Sequence, residues 1–577
     1  MLKNMECEKV SESTLNLEQE KVWLKEYQAG VAAEINPDLH QSLVHILEEA
    51  FEQHSKRIAF KNMGCSLDYA TIDRKSKALA AFFQNHWGLK KGDRLAIMMP
   101  NVLQYPIVLF AALRAGLIVV NINPLYTATE LNHLLMDSGA KAVVVLENFA
   151  HIVEEAKTGT SLEHVCISRL GDMLGAKGFI INFVVKYIKK MVPKYRLEKA
   201  EMLVEAMRQN PKTFKAVQLN NQDIAFLQYT GGTTGVSKGA MLTHRNLISN
   251  IMQATAWLSP CADSYQSGGG VITALPLYHI FSLTANCLTF FALGVTNILI
   301  TNPRDIPTFV KTLSKESFIG ITGVNTLFNA LLNHPGFVRL DFTQLKFSLG
   351  GGMAVQSAVA KKWKEVTGNV LLEAYGLTET SPAVCINPLS LESFNGSIGL
   401  PISSTIVSIR NESNEPCPFG EIGELCVKGP QVMKGYWQRP DETAKVMQGG
   451  WLHTGDMATM DEKGYVRIVD RIKDMINVSG FNVYPNEVED VLAQHPDILE
   501  VAVIGVPDEN TGEAVKAYLV TKNKSLDPKE LIQHCRSSLT AYKVPKLIEF
   551  REELPKTNVG KVIRRALRDE ALIKNQG

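Results

Sequence analysis

The sequence lacks the cysteine spacing and the charge imbalance that mark several classes of protein. Its nine cysteines include no Cys-x-x-Cys pair, so a zinc site is not indicated. A chain of 577 residues can bury large cores without covalent links, and we expect reduced thiols in the cytosol rather than disulfides. Lys and Arg (60) nearly balance Asp and Glu (59), which gives no electrostatic case for nucleic acid as a partner.

No apolar run is long enough to predict a membrane-spanning helix, which needs roughly 20 apolar residues. The run 105–120 (YPIVLFAALRAGLIVV) contains Arg114 and Gly116 near its centre, and the run 286–301 (NCLTFFALGVTNILIT) is too short and polar at both ends. We interpret each as a buried helix that continues into a buried strand. The acidic and polar residues 1–23 do not resemble a signal peptide, so we expect a cytoplasmic protein.

Short apolar runs of strand length alternate with helical segments through most of the chain. They include 94–100 (RLAIMMP), 142–147 (AVVVLE), 270–277 (GVITALPL), 297–301 (NILIT) and 318–324 (FIGITGV). Such continuous Val, Ile and Leu runs are typical of strands that are covered on both faces. The sequence therefore predicts an α/β fold with largely parallel sheets.

The pattern changes in the last third of the chain. Short strands and Gly turns dominate after residue 400, as in 406–416 (IVSIRNESNEP) and 423–430 (GELCVKGP), and an α+β pattern returns from Asn477. The charged cluster 470–474 (DRIKD) separates the two textures. We therefore predict a domain boundary at this cluster.

The stretch 229–246 (YTGGTTGVSKGAMLTHRN) has the composition of a phosphate-binding loop. Gly lets backbone N–H groups approach an anion closely, and a predicted strand before the loop and a helix after Thr243 would place phosphate near those donors. The Walker A pattern requires Gly-Lys-Ser/Thr, whereas Lys238 follows Ser237 and precedes Gly239. Composition alone leaves a phosphate loop and an ordinary Gly/Thr turn equally compatible with this stretch.

Four further stretches decide between those alternatives. They are 348–353 (SLGGGM), 372–382 (LEAYGLTETSP), 450–474 (GWLHTGDMATMDEKGYVRIVDRIKD) and 554–565 (LPKTNVGKVIRR). Together with the Gly loop they resemble the ATP-dependent AMP-binding (adenylate-forming) enzymes, and specifically the bacterial long-chain fatty-acid–CoA ligases. The resemblance extends from about Val22 to about Glu570, and the number of ordered motifs makes it specific.

The resemblance implies a fold, a reaction and a set of substrates. The fold would comprise a large N-terminal AMP-binding domain over 1–471, with two α/β subdomains and a distorted β-barrel, and a small α+β lid domain over 472–577. A fatty acid would attack ATP to give acyl-AMP and pyrophosphate, and coenzyme A would then take the acyl group and release AMP. Mg²⁺ would accompany ATP, coenzyme A would be a co-substrate, and a homodimer is compatible with the family.

The resemblance also implies which residues bind the nucleotide. The Gly loop would hold the outer phosphates, Tyr375 would stack on adenine, Thr378 would reach the α-phosphate, and Asp456 would bind the ribose with support from Arg471. Glu379 and Thr230 would hold Mg²⁺, since a hard cation prefers oxygen ligands. The complete nucleotide set is Thr230, Gly231, Gly232, Thr233, Thr234, Gly235, Lys238, Gly350, Gly351, Gly352, Tyr375, Gly376, Thr378, Asp456 and Arg471.

Three residues would act in catalysis, because phosphoryl-type displacement needs positioning and charge neutralisation more than a nucleophile from the protein. Lys561 would stabilise the charge on the α-phosphate, and Glu379 would act through the metal. His279 would orient the reacting carboxylate rather than act as a base, since a fatty acid is already ionised at neutral pH. Each residue type alone is more often structural, and the motif context favours the catalytic interpretation.

The remaining assignments concern the second half of the reaction and the acyl chain. Lys473 would be the hinge of a lid rotation that brings in the pantetheine path of coenzyme A, formed by Ser479, Gly480 and Tyr484. The acyl pocket would lie behind His279 and include Gly323, Val324 and Leu327. Some relatives gate this tunnel with a Trp, whereas 281–286 reads FSLTAN, so the gating residue is not the familiar one here.

The segment 178–196 (GFIINFVVKYIKKMVPKYR) combines apolar residues at helical spacing with clustered lysines. Such a basic amphipathic helix can lie in the interface of an anionic membrane, and a core-packed helix with a solvated basic flank fits about equally well. A lipid-soluble substrate favours reversible contact with the inner face of the cell membrane.

Three other functions fit the sequence less well. A fatty-acyl-AMP ligase that passes the adenylate to a carrier protein would carry an insertion near the domain junction, and DRIKDMINVSG has none. A P-loop NTPase is disfavoured by Ser237 and Gly239. A non-catalytic lipid-binding protein would not need Lys561, Glu379 and Asp456 together.

Overall fold

A computed structural model describes residues 21–230, 237–266, 268–523, 525–557 and 560–576. In chain order the strands are β1 Ile58–Asn62, β2 Cys65–Asp68, β3 Arg94–Met98, β4 Ile118–Asn121, β5 Ala142–Leu146, β6 His164–Ser168, β7 Glu201–Met202, β8 Ile224–Thr230, β9 Lys238–Thr243, β10 Gly270–Thr273, β11 Asn297–Leu299, β12 Phe318–Gly323, β13 Phe347–Gly351, β14 Leu371–Gly376, β15 Ala383–Ile386, β16 Leu400–Pro401, β17 Ile406–Arg410, β18 Gly423–Lys428, β19 Met447–Gln448, β20 Trp451–Met460, β21 Val466–Arg471, β22 Ile476–Val478, β23 Phe481–Val483, β24 Ile498–Asp508, β25 Gly512–Thr521 and β26 Leu547–Phe550.

The α-helices pack around these strands. They are α1 Leu43–Gln53, α2 Tyr69–Asn85, α3 Gln104–Arg114, α4 Ala128–Ser138, α5 Ala150–Ala156, α6 Ala176–Phe183, α7 Leu203–Ala206, α8 His244–Trp257, α9 Thr289–Ala292, α10 Ile306–Leu313, α11 Asn325–Leu332, α12 Ser357–Thr367, α13 Pro440–Val446, α14 Pro485–Ala493, α15 Pro528–Arg536 and α16 Arg564–Gln576. Short 3₁₀ or π turns lie at Val22–Glu26, Pro37–Leu39, Glu147–Phe149, Val184–Ile188, Pro211–Thr213, Ser259–Gln266, Ser282–Leu288, Thr378–Thr380, Ile472–Asp474 and Ala541–Lys543.

Two large sheets form the first part of the molecule. The seven-stranded sheet has the order β7-β6-β5-β3-β4-β8-β9, and all neighbours are parallel except β8 and β9. The nine-stranded sheet has the order β16-β15-β14-β13-β12-β10-β11-β1-β2, with a parallel centre and antiparallel pairs at both edges. The predicted α/β fold with largely parallel sheets is thus confirmed, and β5 is buried along its whole length as its Val run predicted.

The two apolar runs that could be mistaken for membrane-spanning helices, 105–120 and 286–301, are largely buried inside this part of the molecule, as predicted. Every residue of α3 is buried, and the chain continues through a turn into the buried strand β4. Its one charged group, Arg114, is tolerated there because its guanidinium contacts the carboxylates of Glu48 and Asp73. In the part of the chain that the structure describes, no helix combines the length and the hydropathy needed to cross a bilayer.

A third sheet has the strand order β17-β18-β20-β19, and β21 also pairs with β20. All of its strand pairs are antiparallel. It stands where a distorted β-barrel was predicted. The chain then passes through the turn Ile472–Asp474 into a fourth, small sheet of β22 to β26. This last unit has a separate apolar core that includes Val488, Leu492, Val503, Val515 and Leu519.

The basic apolar segment differs from a core-packed helix. In α6 only Gly178 is buried, and the π turn that follows has no buried residue. Large apolar side chains are instead exposed along one run, among them Phe179 (81%), Ile180 (68%), Phe183 (57%), Tyr187 (62%), Ile188 (64%) and Met191 (54%). The core-packed alternative is therefore wrong for this segment.

Candidate active site

A cavity of about 1530 Å³ lies where the large sheets, the third sheet and the last unit meet. It opens at the carboxyl ends of β12, β13 and β14, which run parallel and therefore end on the same edge. Ligands in open α/β sheets bind at this edge, because the loops that follow the strands converge there. The cavity collects most of the predicted site residues.

The predicted nucleotide-binding residues of the cavity surround a buried carboxylate. Asp456 on β20 is paired in register with Arg471 on β21, and its Oδ1 lies 3.4 Å from Nε of Arg471. The hydroxyl of Tyr375, near the end of β14, donates to Oδ2 of Asp456 over 2.6 Å. Burial, and next the Asp456 charge, raise the pKa of Tyr375 well above its usual value, so the phenol stays a donor.

The Gly cluster at the end of β13 forms the neighbouring wall. Gly351 and Gly352 line the cavity, whereas Gly350 packs against Val355, whose Cγ2 would lie 2.6 Å from a Cβ added at this glycine. Gly352 has a φ of +77°, and a Cβ there would lie 3.3 Å from Cε of Lys561. Gly at this position thus allows both the left-handed backbone and the close approach of the lysine.

Lys561 reaches this wall from the last unit of the chain and lines the same cavity. Burial, and next the positive charge of Arg471, lower the pKa of Lys561 to about 8, while Asp456 and Glu379 oppose the shift. The ammonium group therefore stays charged at neutral pH between two carboxylates. A cation held in this way can stabilise negative charge that develops beside Gly352.

His279 lies in the cavity wall after β10 and carries no charge at neutral pH. Burial, and next the charge of Lys561, lower the pKa of His279 to about 3. Its Nδ1 accepts a 3.4 Å hydrogen bond from the backbone N–H of Phe281, so the proton of the neutral ring resides on Nε2. The ring can therefore donate a hydrogen bond to a carboxylate without taking up a proton.

The phosphate end of the predicted site is described in part. Thr230 ends β8 and Lys238 begins β9, and the two face each other across the hairpin. The predicted residues Gly231, Gly232, Thr233, Thr234 and Gly235 lie outside the described residues. Lys238 forms an ion pair with Glu442 and lies 5.2 Å from the centre of the Tyr436 ring.

Glu379 presents its carboxylate to the same end of the cavity, next to Gly376 and Thr378. Its Oε1 accepts a 2.7 Å hydrogen bond from the hydroxyl of Tyr436, and its backbone carbonyl accepts from Met433. The turn Thr378–Thr380 contacts β8, which ends in Thr230. A carboxylate and a hydroxyl on contacting segments are oxygen donors of the kind that Mg²⁺ prefers, so Glu379 and Thr230 fit the ion.

The same cavity is also lined by a set of apolar side chains. They belong to α8, α9, β13 and the segments that connect the strands and helices, namely Ala254, Trp257, Leu258, Phe281, Phe290, Phe347, Leu349, Leu389 and Phe394. The three predicted acyl-pocket residues are not among those that line this cavity, and their role stays a prediction. Val324 and Leu327 belong to the buried core, and Gly323 lies one position beyond Thr322, the β12 residue that lines the cavity.

The predicted hinge and coenzyme A path are separated in this arrangement. Lys473 lies in the turn Ile472–Asp474 and lines the cavity. Ser479 and Gly480 form the exposed turn between β22 and β23, and Tyr484 precedes α14. None of these three described residues lines the cavity, whereas Lys561 does.

Two site groups were missed by sequence reasoning. Glu373, in the buried strand β14, accepts from the Val355 N–H over 3.1 Å, and burial raises the pKa of its carboxyl to about 8. Tyr436 holds Glu379, as described above. An acidic residue inside an apolar strand two positions before Tyr375 was a usable signal for Glu373, but nothing local in the sequence connects Tyr436 with Glu379.

Two family matches cover most of the chain. Residues 47–437 match the family described as AMP-binding enzyme, and residues 487–561 match the AMP-binding enzyme C-terminal domain. The chain belongs to the AMP-binding enzyme family. The buried Asp456 carboxylate lies between the two matched ranges and Lys561 is the last residue of the second.

The chain is also similar to individual proteins within this family and to solved structures. A long-chain-fatty-acid–CoA ligase of Escherichia coli O6:H1 is 56% identical over 553 residues, which are 96% of this chain and 98% of that protein. The anthranilate CoA ligase AuaEII in complex with anthranoyl-AMP has the same fold, with a TM-score of 0.82 at 24% identity over 94% of this chain and 100% of that one. ATP-bound MatB from Rhodopseudomonas palustris has a TM-score of 0.75 at 27% identity over 91% of this chain and 98% of that one.

Proposed function

We propose that the protein is a long-chain fatty-acid–CoA ligase that converts a fatty acid, ATP and coenzyme A into acyl-CoA, AMP and pyrophosphate. One observation carries the proposal beyond family membership. A single cavity is lined by the Tyr375–Asp456 pair, by Lys561 and by the apolar set described above. A cavity that combines apolar walls with a cation suits an amphipathic acid whose carboxylate reacts.

In the first step a fatty-acid carboxylate oxygen bonds to the α-phosphorus of ATP, and the bond to pyrophosphate breaks. Asp456 and Tyr375 would hold the ribose and adenine, Thr378 would reach the α-phosphate, and Lys561 would neutralise the charge that develops there. His279 would orient the carboxylate through Nε2–H. Thr230, Lys238 and the loop 231–235 would hold the outer phosphates.

Glu379 and Thr230 would hold Mg²⁺, which, when bound, neutralises charge on phosphate oxygens. In the second step the thiolate of coenzyme A attacks the acyl carbonyl and AMP leaves. We place the domain division between residues 471 and 472, with rotation about Lys473 bringing Ser479, Gly480 and Tyr484 to the pantetheine path. Ser479 and Gly480 are exposed while Lys561 lines the cavity, which supports such an exchange.

The decisive experiment measures pyrophosphate release with saturated acids of graded length, with and without coenzyme A. We expect slow release without coenzyme A, multiple turnovers with it, and the highest kcat/KM with long-chain acids. Release that is unaffected by coenzyme A would indicate a carrier-dependent adenylase instead. Absence of release with every acid would refute the ligase.

A second proposal concerns location: the segment 178–196 docks reversibly on an anionic membrane. Its exposed Phe179, Ile180, Phe183 and Ile188 form an apolar run of a kind that ordinary protein surfaces rarely expose. Lysines 189 and 190 are exposed beside it. Interfacial helices combine these two features, with the apolar side in the acyl boundary and the lysines at lipid phosphates.

Cosedimentation with phosphatidylglycerol-containing vesicles tests this location. We expect binding at low salt that is lost in Phe179→Ser/Phe183→Ser and retained in Met136→Ser, a control at a comparably exposed apolar residue (58%) on α4. Equal binding by all three proteins, or no binding by the unmodified protein, would contradict membrane docking.

The homodimer stays a prediction. Light scattering on the same protein samples, without vesicles, measures whether the protein has the mass of a monomer or of a dimer.

A further inference from the structure

We call the part of the chain before the turn Ile472–Asp474 the large region, and the last unit, after this turn, the small unit. Two helices of the large region, α11 and α12, are joined at their first residues and contact the small unit; we call this pair of helices the platform. Asn325, the first residue of α11, donates from Nδ2 to Oε1 of Gln356 over 3.0 Å. In return, the backbone N–H of Gln356 donates to Oδ1 of Asn325 over 3.0 Å. Gln356 is the N-cap residue of α12, so this pair fixes the start of one helix against the start of the other.

The platform contacts the segment that carries Lys561. The hydroxyl of Thr326 on α11 donates to the carbonyl of Gly560 over 3.1 Å, and Gly560 directly precedes Lys561. The backbone of Lys561 is itself held by Thr557, which accepts from its N–H over 3.2 Å and donates to its carbonyl over 2.7 Å. The large region therefore holds this turn from outside through Thr326 and, more weakly, through Arg304, whose guanidinium donates to the Thr557 carbonyl over 3.5 Å.

Gly560 shows how close this contact is. Its φ is +88°, and a Cβ added there would lie 2.8 Å from Oγ1 of Thr326 and 3.2 Å from Cγ2 of Val324. Any side chain at this position would strain the turn and push it away from α11. Gly560, the residue before Lys561, therefore packs against α11 with no room for a side chain.

A second contact lies one helical turn further along α11. Asn329 donates from Nδ2 to the carbonyl of Leu499 over 2.8 Å. Leu499 is the second residue of β24, in the sheet of the small unit. Because Thr326 and Asn329 lie on the same side of α11 at i, i+3 spacing, one helix face holds both the Lys561 turn and this sheet.

The third contact is a helix cap supplied from the other unit. Gln356 makes no side-chain cap for α12. Oδ1 of Asp490 on α14 accepts instead from the backbone N–H of Ser357 over 3.1 Å and from its hydroxyl over 3.0 Å. A carboxylate at a helix N-terminus satisfies a free N–H and favours the positive end of the helix dipole.

We infer that Thr326, Asn329 and Ser357 form a three-point seat that positions Lys561 for adenylation and is vacated before acyl transfer to coenzyme A. This inference rests on the proposed function, since it assigns the seated arrangement to the first half-reaction. The three contacts all cross from the large region to the small unit, so rotation about Lys473 breaks them together. The seat residues act through Lys561 and are positioning residues.

The two half-reactions should respond to seat variants in opposite ways. Losing one hydrogen bond to the charged Asp490 lowers the equilibrium constant for the seated state about tenfold, and losing the neutral Thr326 bond lowers it less. Adenylation, which needs that state, should fall by up to this factor, while transfer from supplied acyl-adenylate should be unchanged or faster. A residue that merely maintained the fold would lower both rates.

The experiment compares Thr326→Val, Ser357→Ala and Asp490→Asn in the full-length enzyme. ATP–pyrophosphate exchange reports adenylation, and thioester formation from synthetic acyl-adenylate and coenzyme A reports the second half. Ser314→Ala, whose hydroxyl bonds only within its own turn to the Lys311 carbonyl among the described contacts, is the matched control and should leave both rates unchanged. Because Ser357 and Asp490 touch, the double variant Ser357→Ala/Asp490→Asn should cost less than the sum of the two single effects.

Gly560→Ala provides a second variant that leaves the platform intact and should give the same opposed pattern. Equal loss of both half-reactions in the seat variants, or no loss of exchange, would overturn the seat. Failure of the proposed function is distinguishable, because the unmodified enzyme would then show no fatty-acid-dependent exchange. An opposed pattern in the variants, with normal thermal unfolding, supports it.

Discussion

The hydroxyl of Tyr375 donates a 2.6 Å hydrogen bond to Oδ2 of Asp456. This bond connects the mixed nine-stranded sheet, through β14, to the antiparallel third sheet, through β20. On its other oxygen Asp456 faces Arg471, the last residue before the turn that leads into the small unit. The carboxylate proposed to bind ribose is thereby oriented from two sides, and its geometry depends on how the sheets pack.

Removal of that hydroxyl should weaken ATP binding more than it slows the chemistry. Tyr375→Phe keeps the ring that would stack on adenine and leaves Asp456 without one donor, so we expect KM for ATP to rise about tenfold with kcat nearly unchanged. Initial rates at varied ATP measure both constants. Tyr195→Phe, which removes a hydroxyl bonded to Glu147 outside the cavity, should change neither constant. A lower kcat at unchanged KM would contradict the assigned role.

Adenylation should depend on the charge of Lys561 and so decline in alkaline solution. The pKa of Lys561 is lowered to about 8, so the ammonium form is present below this pH and is lost as pH rises through it. We expect kcat/KM for ATP–pyrophosphate exchange to fall with a midpoint near that value. Lys561→Arg should be slower but lack this limb, since a guanidinium stays charged.

Lys561→Ala removes the charge and should separate the two half-reactions. Loss of an electrostatic donor at a developing oxyanion costs about 100- to 1000-fold, so exchange should fall by this order. Thioester formation from supplied acyl-adenylate should largely survive, because Lys561 is proposed to act on the α-phosphate only. Single-turnover measurements of each half supply the comparison, and an equal loss in both would refute the assignment.

Local patterns were enough to predict the elements that carry the site. The Val and Ile runs predicted β3, β5, β10, β11 and β12, and the helix predicted after Thr243 is α8, which begins at His244 and is capped by Thr243 in a capping box with Asn246. The predicted order of strand, Gly loop and helix was wrong in one respect, because the antiparallel strand β9 lies between the loop and α8. Each of these features depends on neighbours in sequence, namely burial on two faces and an N-cap. Motifs after strand ends converge because parallel strands share a carboxyl edge.

Features that depend on packing between distant segments could not be predicted in the same way. Whether Thr322 or Gly323 faces the cavity depends on the register of β12, and shifting a strand by one residue reverses its faces. The apolar spacing in α6 is the same for a packed and an exposed helix, so exposure of Phe179 required the structure. The bond between Tyr436 and Glu379 joins positions 57 apart in sequence.

His279 should influence adenylation without contributing a pH limb. Its pKa is lowered to about 3, so the ring is neutral throughout the range in which an ordinary His titrates, near 6.5. We expect His279→Ala to lower kcat for exchange about tenfold, the cost of one donor to a carboxylate, with an unchanged profile between about pH 5 and pH 7. Disappearance of a limb in that range upon substitution would show that His279 titrates and acts as a base.

The turn that contains Lys473 should matter for movement more than for the arrangement seen here. Lys473 is the central residue of the 3₁₀ turn Ile472–Asp474, and Pro at this position would fix its φ near about −65° and restrict the residue before it. A helical turn tolerates that φ, so adenylation should be nearly retained in Lys473→Pro. Thioester formation should fall strongly, because a hinge residue must change its backbone angles.

Rapid-quench single turnovers measure both half-reactions of the Lys473→Pro variant. Lys473→Ala, which removes the charge but leaves the backbone free, is the control. If the Ala and Pro variants lose thioester formation equally, the side chain rather than the backbone freedom of residue 473 is what the second step requires.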